Sequence, residues 1–157
     1  MNRIVQGIAV CLFLMGLGIC NAEEPYREWL NFFEGKWNVN EGEWSFEFRA
    51  TRGKAIVYAE ITPPEGDAVL AVYAWDANKK ALVFTWFDPK GGSVRQEFTV
   101  FKGDVMSGLL YGSGPEGATT GSAMVQRFGA DKFKVTLKVF DASGQVTEPS
   151  VELTRKK

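Results

Sequence analysis

The chain has 157 residues, with 18 basic against 19 acidic side chains, no histidine and 2 cysteines. The lack of histidine removes histidine-based triads, histidine general bases and histidine-ligated zinc. A net charge of −1, with no basic run or stripe, argues against nucleic acid as a partner, and no glycine-rich phosphate-loop motif occurs.

Residues 1–22 read as a secretory signal peptide. Arg3 precedes an apolar stretch from Ile4 to Ile19, and the small residues Cys20 and Ala22 fit a cleavage site before Glu23. Broken by Gln6 and three glycines, the stretch falls short of the roughly 20 residues that span a bilayer. The expected product is one domain, residues 23–157, exported to the periplasm or secreted. A second processing route stays open. Leu17-Gly18-Ile19-Cys20 resembles a lipoprotein signal, and lipid on Cys20 is the one expected attachment to a membrane. Both cysteines, Cys11 and Cys20, lie in the leader, so the domain is expected to hold together by packing, without a disulfide.

Tyr26, Trp29, Leu30 and Phe33 share one helical face between Pro25 and Gly35. This predicts a short amphipathic helix, too short to stand without an apolar surface beneath it. Strands are predicted from there to the end. Lys36–Asn40 comes first. Glu43–Thr51 sets Trp44, Phe46, Phe48 and Ala50 on a dry face opposite Glu43, Glu47 and Arg49. Lys54–Thr62 is apolar on both sides. Ala68–Asp76 and Lys80–Asp88 are nearly continuous apolar runs, a pattern expected where both faces are at least partly covered.

Ser93–Phe101 groups Val94, Gln96, Phe98 and Val100, while Asp104–Gly112 groups Val105, Ser107, Leu109 and Tyr111. Thr119–Phe128 alternates less regularly. Lys132–Phe140 groups Phe133, Val135, Leu137 and Val139, and Ser150–Lys156 closes the series with Val151 and Leu153. Turn clusters separate the runs, with Gly or Asn expected to supply positive φ, as in Thr51-Arg52-Gly53, Asp76-Ala77-Asn78 and Asp141-Ala142-Ser143-Gly144. The spacing leaves no room for crossover helices. The expected fold class is all-β: an up-and-down antiparallel barrel of about ten strands (8–10) behind one short helix.

Acid–base chemistry without histidine or cysteine falls to carboxylates. Glu43 and Glu47 lie on the polar face of their strand and read as surface charge. Glu60 is a buried candidate base only if it shares an inward face with Ile56 and Tyr58, and it reads as solvent-facing. The Asp76 and Asp141 clusters lack the spaced acidic ligands of a calcium loop and read as turns, so no metal is expected. The positive signal is aromatic. Of the 5 Trp, 4 Tyr and 12 Phe, Phe13 alone lies in the leader. Aromatic faces interrupted by Gln96, Ser107, Thr85 and the phenols of Tyr58, Tyr73 and Tyr111 suit an apolar wall carrying a few orienting groups. Arg127 alternates with Ala123 and Val125 and reads first as a surface ion pair. The loop Gly112–Gly117 reads as a hairpin connection, with a portal flap as the alternative.

Leu30 and Phe33 in a helix ahead of Gly35-Lys36-Trp37, Tyr73 with Asp76 in mid-chain, and the terminal Leu153-Thr154-Arg155 carry a resemblance. The chain, from Tyr26 to Arg155, resembles the calycin superfamily of lipocalins and fatty-acid-binding proteins. More closely, it looks like bacterial lipocalin-like domains of unknown function. The resemblance implies that Trp37 plugs the closed end and that Arg155 covers it. It also implies that haem bound through histidine, known in some related barrels, does not carry over to a chain with none.

The expected function is therefore binding of a small, largely apolar ligand inside the barrel, with no cofactor. Trp44, Phe46, Phe48, Phe98 and Phe133 are expected to supply apolar wall, and Tyr73, Gln96 and Tyr111 to orient the ligand. A filled-barrel scaffold or inhibitor acting through its loops is the alternative. An enzyme built on a buried carboxylate ranks third.

Overall fold

The computed structural model describes residues 25–39 and 44–157. The leader, Cys20, the turn Asn40-Glu41-Gly42 and Glu43 lie outside the described residues. Helix α1 (Pro25–Phe33) precedes β1 (Gly35–Val39), β2 (Trp44–Ala50), β3 (Ile56–Thr62), β4 (Val69–Asp76), β5 (Ala81–Phe87) and β6 (Ser93–Lys102). Then follow β7 (Val105–Gly114), β8 (Gly117–Arg127), β9 (Lys132–Phe140), β10 (Val146–Thr147) and β11 (Ser150–Arg155). Successive strands from β1 to β9 pair antiparallel, and β11 lies between β9 and β1. The ring closes at ten strands, the all-β meander expected from the turn spacing. The two-residue β10 pairs with the far end of β9, beyond a break at Glu148-Pro149. It reads as a displaced continuation of β11, split where proline has no N–H to donate.

Helix α1 buries Tyr26, Trp29, Leu30 and Phe33, the face its spacing predicts. Pro25 suits the first helical turn, and Gly35, at φ +123°, ends the helix and turns the chain into β1. A side chain at Gly35 would also approach Arg155 Nη1 within 2.8 Å. The helix closes one end of the barrel. Phe33 stacks on Tyr73 with ring centres 4.7 Å apart and meets Phe133 edge-on at 5.4 Å. Tyr26 stacks on Trp75 at 4.3 Å.

Two arginines fasten this end. Arg155 is the cross-strand partner of Trp37, and its guanidinium lies 4.2 Å from the indole centre. It donates to the carbonyl of Glu34 at 2.7 Å and to that of Phe32 at 2.8 Å. Trp37 Nε1 donates to the carbonyl of Phe33 at 2.8 Å. Three carbonyls that the helix terminus leaves without helical donors are thereby satisfied, and the cation sits at the negative end of the helix dipole. Arg127 covers Trp29 at 4.5 Å and pairs with Glu28 at 2.6 Å and Asp104 at 3.0 Å. The residue read as a surface ion pair is thus a largely buried cation holding the helix down.

Three details depart from the sequence expectation. Register shifts between Phe98 and Val100 in β6, so Val94, Gln96 and Phe98 face inward but Val100 faces out and Phe101 packs on the core. A bulge adds one residue and so reverses the side-chain alternation. In β7 the inward set is Met106, Gly108, Leu110 and Gly112, which leaves Ser107, Leu109 and Tyr111 outside. Both sets carry apolar side chains, and alternation alone does not choose between them. Finally, the positive φ of two turns falls on Lys54 and Lys80, not on Gly53 or Asn78. Asp76 instead anchors its turn by accepting from the N–H groups of Asn78 and Lys79.

The inward glycines of β7 and β8 mark a corner of the barrel. A Cβ at Gly108 would overlap the carbonyl oxygen of Glu97, and one at Gly121 would overlap that of Lys138. Neighbouring backbones approach there more closely than any side chain permits.

Candidate binding cavity

Above the aromatic floor the barrel is not filled. A cavity of about 510 Å³ lies between that floor and the end opposite the helix, a volume typical of small-molecule sites. Trp44, Phe46 and Phe48 of β2 form one wall, and Tyr73, Phe84 and Trp86 of β4 and β5 another. Val94, Gln96, Leu110 and Thr119 continue it across β6 to β8, and the apolar faces of β9, β11 and β1 complete it. Trp44 is 37% exposed and also borders a depression between the loops at Pro63–Asp67 and Asp88–Lys90. That marks the mouth.

Register explains which side chains meet. Tyr73, Phe84, Gln96, Leu110, Gly121 and Val139 are successive cross-strand partners, each joined to the next by the ladder. They form a band around the cavity, with the rings of Tyr73 and Phe84 4.3 Å apart.

No charged side chain lines the cavity among the described residues. Its polar groups are the Gln96 amide, the Tyr73 phenol, the Thr119 hydroxyl and two indole N–H groups. Gln96 is the one buried polar residue among those described, at 6% exposure. Its amide forms no side-chain hydrogen bond among the described residues and opens onto the cavity. The amide is not sealed inside the protein, since Arg127 Nε is the one fully enclosed side-chain polar atom without a partner among the described residues. Burial alone pushes the Tyr73 phenol far above the ordinary tyrosine range.

Six of the eight residues named from sequence lie in the cavity wall: Trp44, Phe46, Phe48, Tyr73, Gln96 and Phe133. Phe98 and Tyr111 do not. Phe98 is fully buried in the packed base, beyond the cavity floor. Tyr111 is 43% exposed on the outer surface, because its strand turns Leu110 inward. Ser107 and Thr85 also belong to outward sets. Glu60 is exposed and neighbours Glu47 across β2 and β3, so it supplies no buried base. Asp141 spends its carboxylate within its own turn, accepting from Ser143 and Gln145.

Sequence reading missed Phe84 and Trp86, which form much of one wall. A signal was present in β5, where Leu82, Phe84 and Trp86 form the bulkier parity against Ala81, Val83 and Thr85.

The wall can bury an apolar body and offer it a few hydrogen bonds. Among the described residues it presents no carboxylate, and its hydroxyl groups are those of Thr119 and Tyr73. No protein-family model matches the chain, and no curated protein matches it in sequence.

Proposed function

We propose that this protein binds a small, largely apolar molecule inside its barrel. The observation that carries the reading is the open cavity of about 510 Å³, walled by aromatic and branched side chains around one unpaired amide. Burial against such a wall stabilises a ligand by about 25 cal/mol per Å² removed from water. The resemblance to lipocalin-like barrels points the same way, as does the arrangement of a plugged end opposite an open one. The hydrophobic leader supports an exported protein, so the ligand would be met outside the cytoplasm.

Native mass spectrometry of the protein purified gently from its host tests the proposal, paired with titration of the neutral dye N-phenyl-1-naphthylamine. The expected result is either a co-purified mass removed by organic extraction or saturable dye fluorescence at one site per chain. A bare mass together with no dye uptake would overturn it.

A further inference from the structure

We infer that the cavity selects neutral ligands bearing one hydrogen-bonding group, such as an alcohol, ester, ketone or amide, and discriminates against anions, including long-chain carboxylates. This inference rests on the binding proposal above. Three observations carry it. The wall holds no cation among the described residues, so a carboxylate drawn inside would lose its hydration without an ionic partner. The Gln96 amide, nine-tenths buried and without a partner, offers both a donor and an acceptor to the cavity. The depression beside the mouth is bordered by Glu65, Asp67 and Asp88 against Lys90 alone, so an anion leaving its head at the rim meets a surplus of negative charge.

The two polar groups of the band, on either side of Phe84, differ in role. Gln96 stands on the wall beside Phe84, where it can accept from a hydroxyl or donate to a carbonyl. The Tyr73 phenol lies in the floor and stays protonated at any ordinary pH, so it too faces the ligand as a neutral group. A carboxylic acid therefore enters most readily in its protonated form. With a carboxyl pKa of about 4.3, holding that form at pH 8 costs roughly three to four decades of affinity.

Displacement of N-phenyl-1-naphthylamine by decan-1-ol, decanoate and decane at pH 8 tests this. Decan-1-ol is expected to displace the dye at a concentration at least tenfold below that of decanoate. Lowering the pH to 5 is expected to narrow the gap. In Gln96→Leu, decan-1-ol is expected to weaken about fivefold, the size of one lost hydrogen bond, while decane is unaltered. Circular dichroism would verify that the variant folds, and Gln96→Asn, which keeps an amide, should retain part of the preference. Decanoate equal to decan-1-ol at pH 8 would overturn the inference but leave the binding proposal standing, as would a Gln96→Leu variant with unchanged affinity for decan-1-ol. If neither the dye nor any of the three ligands bound, the binding proposal would fall and this inference with it.

Discussion

Arg155 and Trp37 are direct cross-strand partners, and the guanidinium of one lies 4.2 Å from the ring centre of the other. The pair joins the last strand of the barrel to the first. Arg155 also donates to two carbonyls at the end of α1 and pairs with Asp131 at 3.3 Å, so one side chain fastens strand, helix and loop.

Arg155→Ala is expected to destabilise the protein by about 2–4 kcal/mol, since it removes a cation–π contact and leaves helix carbonyls without donors. Arg155→Lys keeps the charge but loses the planar fork, and it should recover less than half of that. Urea denaturation measures both. A lysine variant as stable as the parent would show that charge, not geometry, matters at this position.

Arg127→Met should behave differently. Arg127 is largely buried, and its Nε has no partner, while Glu28 and Asp104, the acids it pairs with, are mostly exposed. Replacing a buried charge by an apolar side chain of similar length is often neutral. The expected change is within about 1 kcal/mol, well below the Arg155→Ala loss. Comparing the two urea midpoints decides whether the two arginines are equivalent clamps.

Gly108→Ala is expected to cost at least about 2 kcal/mol or to abolish folding, because its Cβ would occupy the space of the Glu97 carbonyl. Gly114→Ala is the control, since its nearest contact is an ordinary 3.7 Å from Gly92. Its thermal midpoint should stay close to the parent's.

The buried Tyr73 phenol makes stability depend on alkaline pH. Its folded pKa is raised above the unfolded value, so its contribution is complete below about pH 10. Above that the unfolded chain loses the proton while the folded one keeps it. Stability should then fall with a slope approaching about 1.4 kcal/mol per pH unit. Tyr73→Phe should flatten that part of the profile, measured by urea denaturation between pH 9 and 11. An unchanged slope would assign the alkaline loss to other groups.

Cavity and base should answer differently to added bulk. Val139→Trp projects into the cavity opposite Gly121. It is expected to block dye uptake with little loss of stability. Phe98→Trp enlarges a side chain that is already fully buried in the base. It should cost about 1–3 kcal/mol while leaving the cavity's binding largely intact. Fluorescence titration and thermal melting on the same two proteins separate the effects.

Much of this architecture was legible in the residues. The helix face of Tyr26, Trp29, Leu30 and Phe33, the ten strand segments and the dry side of Trp44, Phe46 and Phe48 follow from spacing. The helix and β2 each have one apolar periodicity and no competitor. Where two periodicities compete, the reading stops. In β7 the sequence reading placed Tyr111 in the wall, and pairing with Gln96 and Gly121 turned Leu110 inward instead. In β6 a one-residue bulge exchanged Val100 for Phe101, and no local signal announces it.

The sequence by itself determined the class of fold, the helix that caps it and the positions of the turns between strands, because these depend on neighbours within about ten residues. The tertiary structure decided which face of each two-sided strand turned inward, how Arg127 and Arg155 met the helix, and that a cavity remained. Those outcomes depend on ring closure and on the summed volumes of side chains far apart in the chain. Gly108 and Gly121 admit no side chain only because ring closure presses their backbones against β6 and β9.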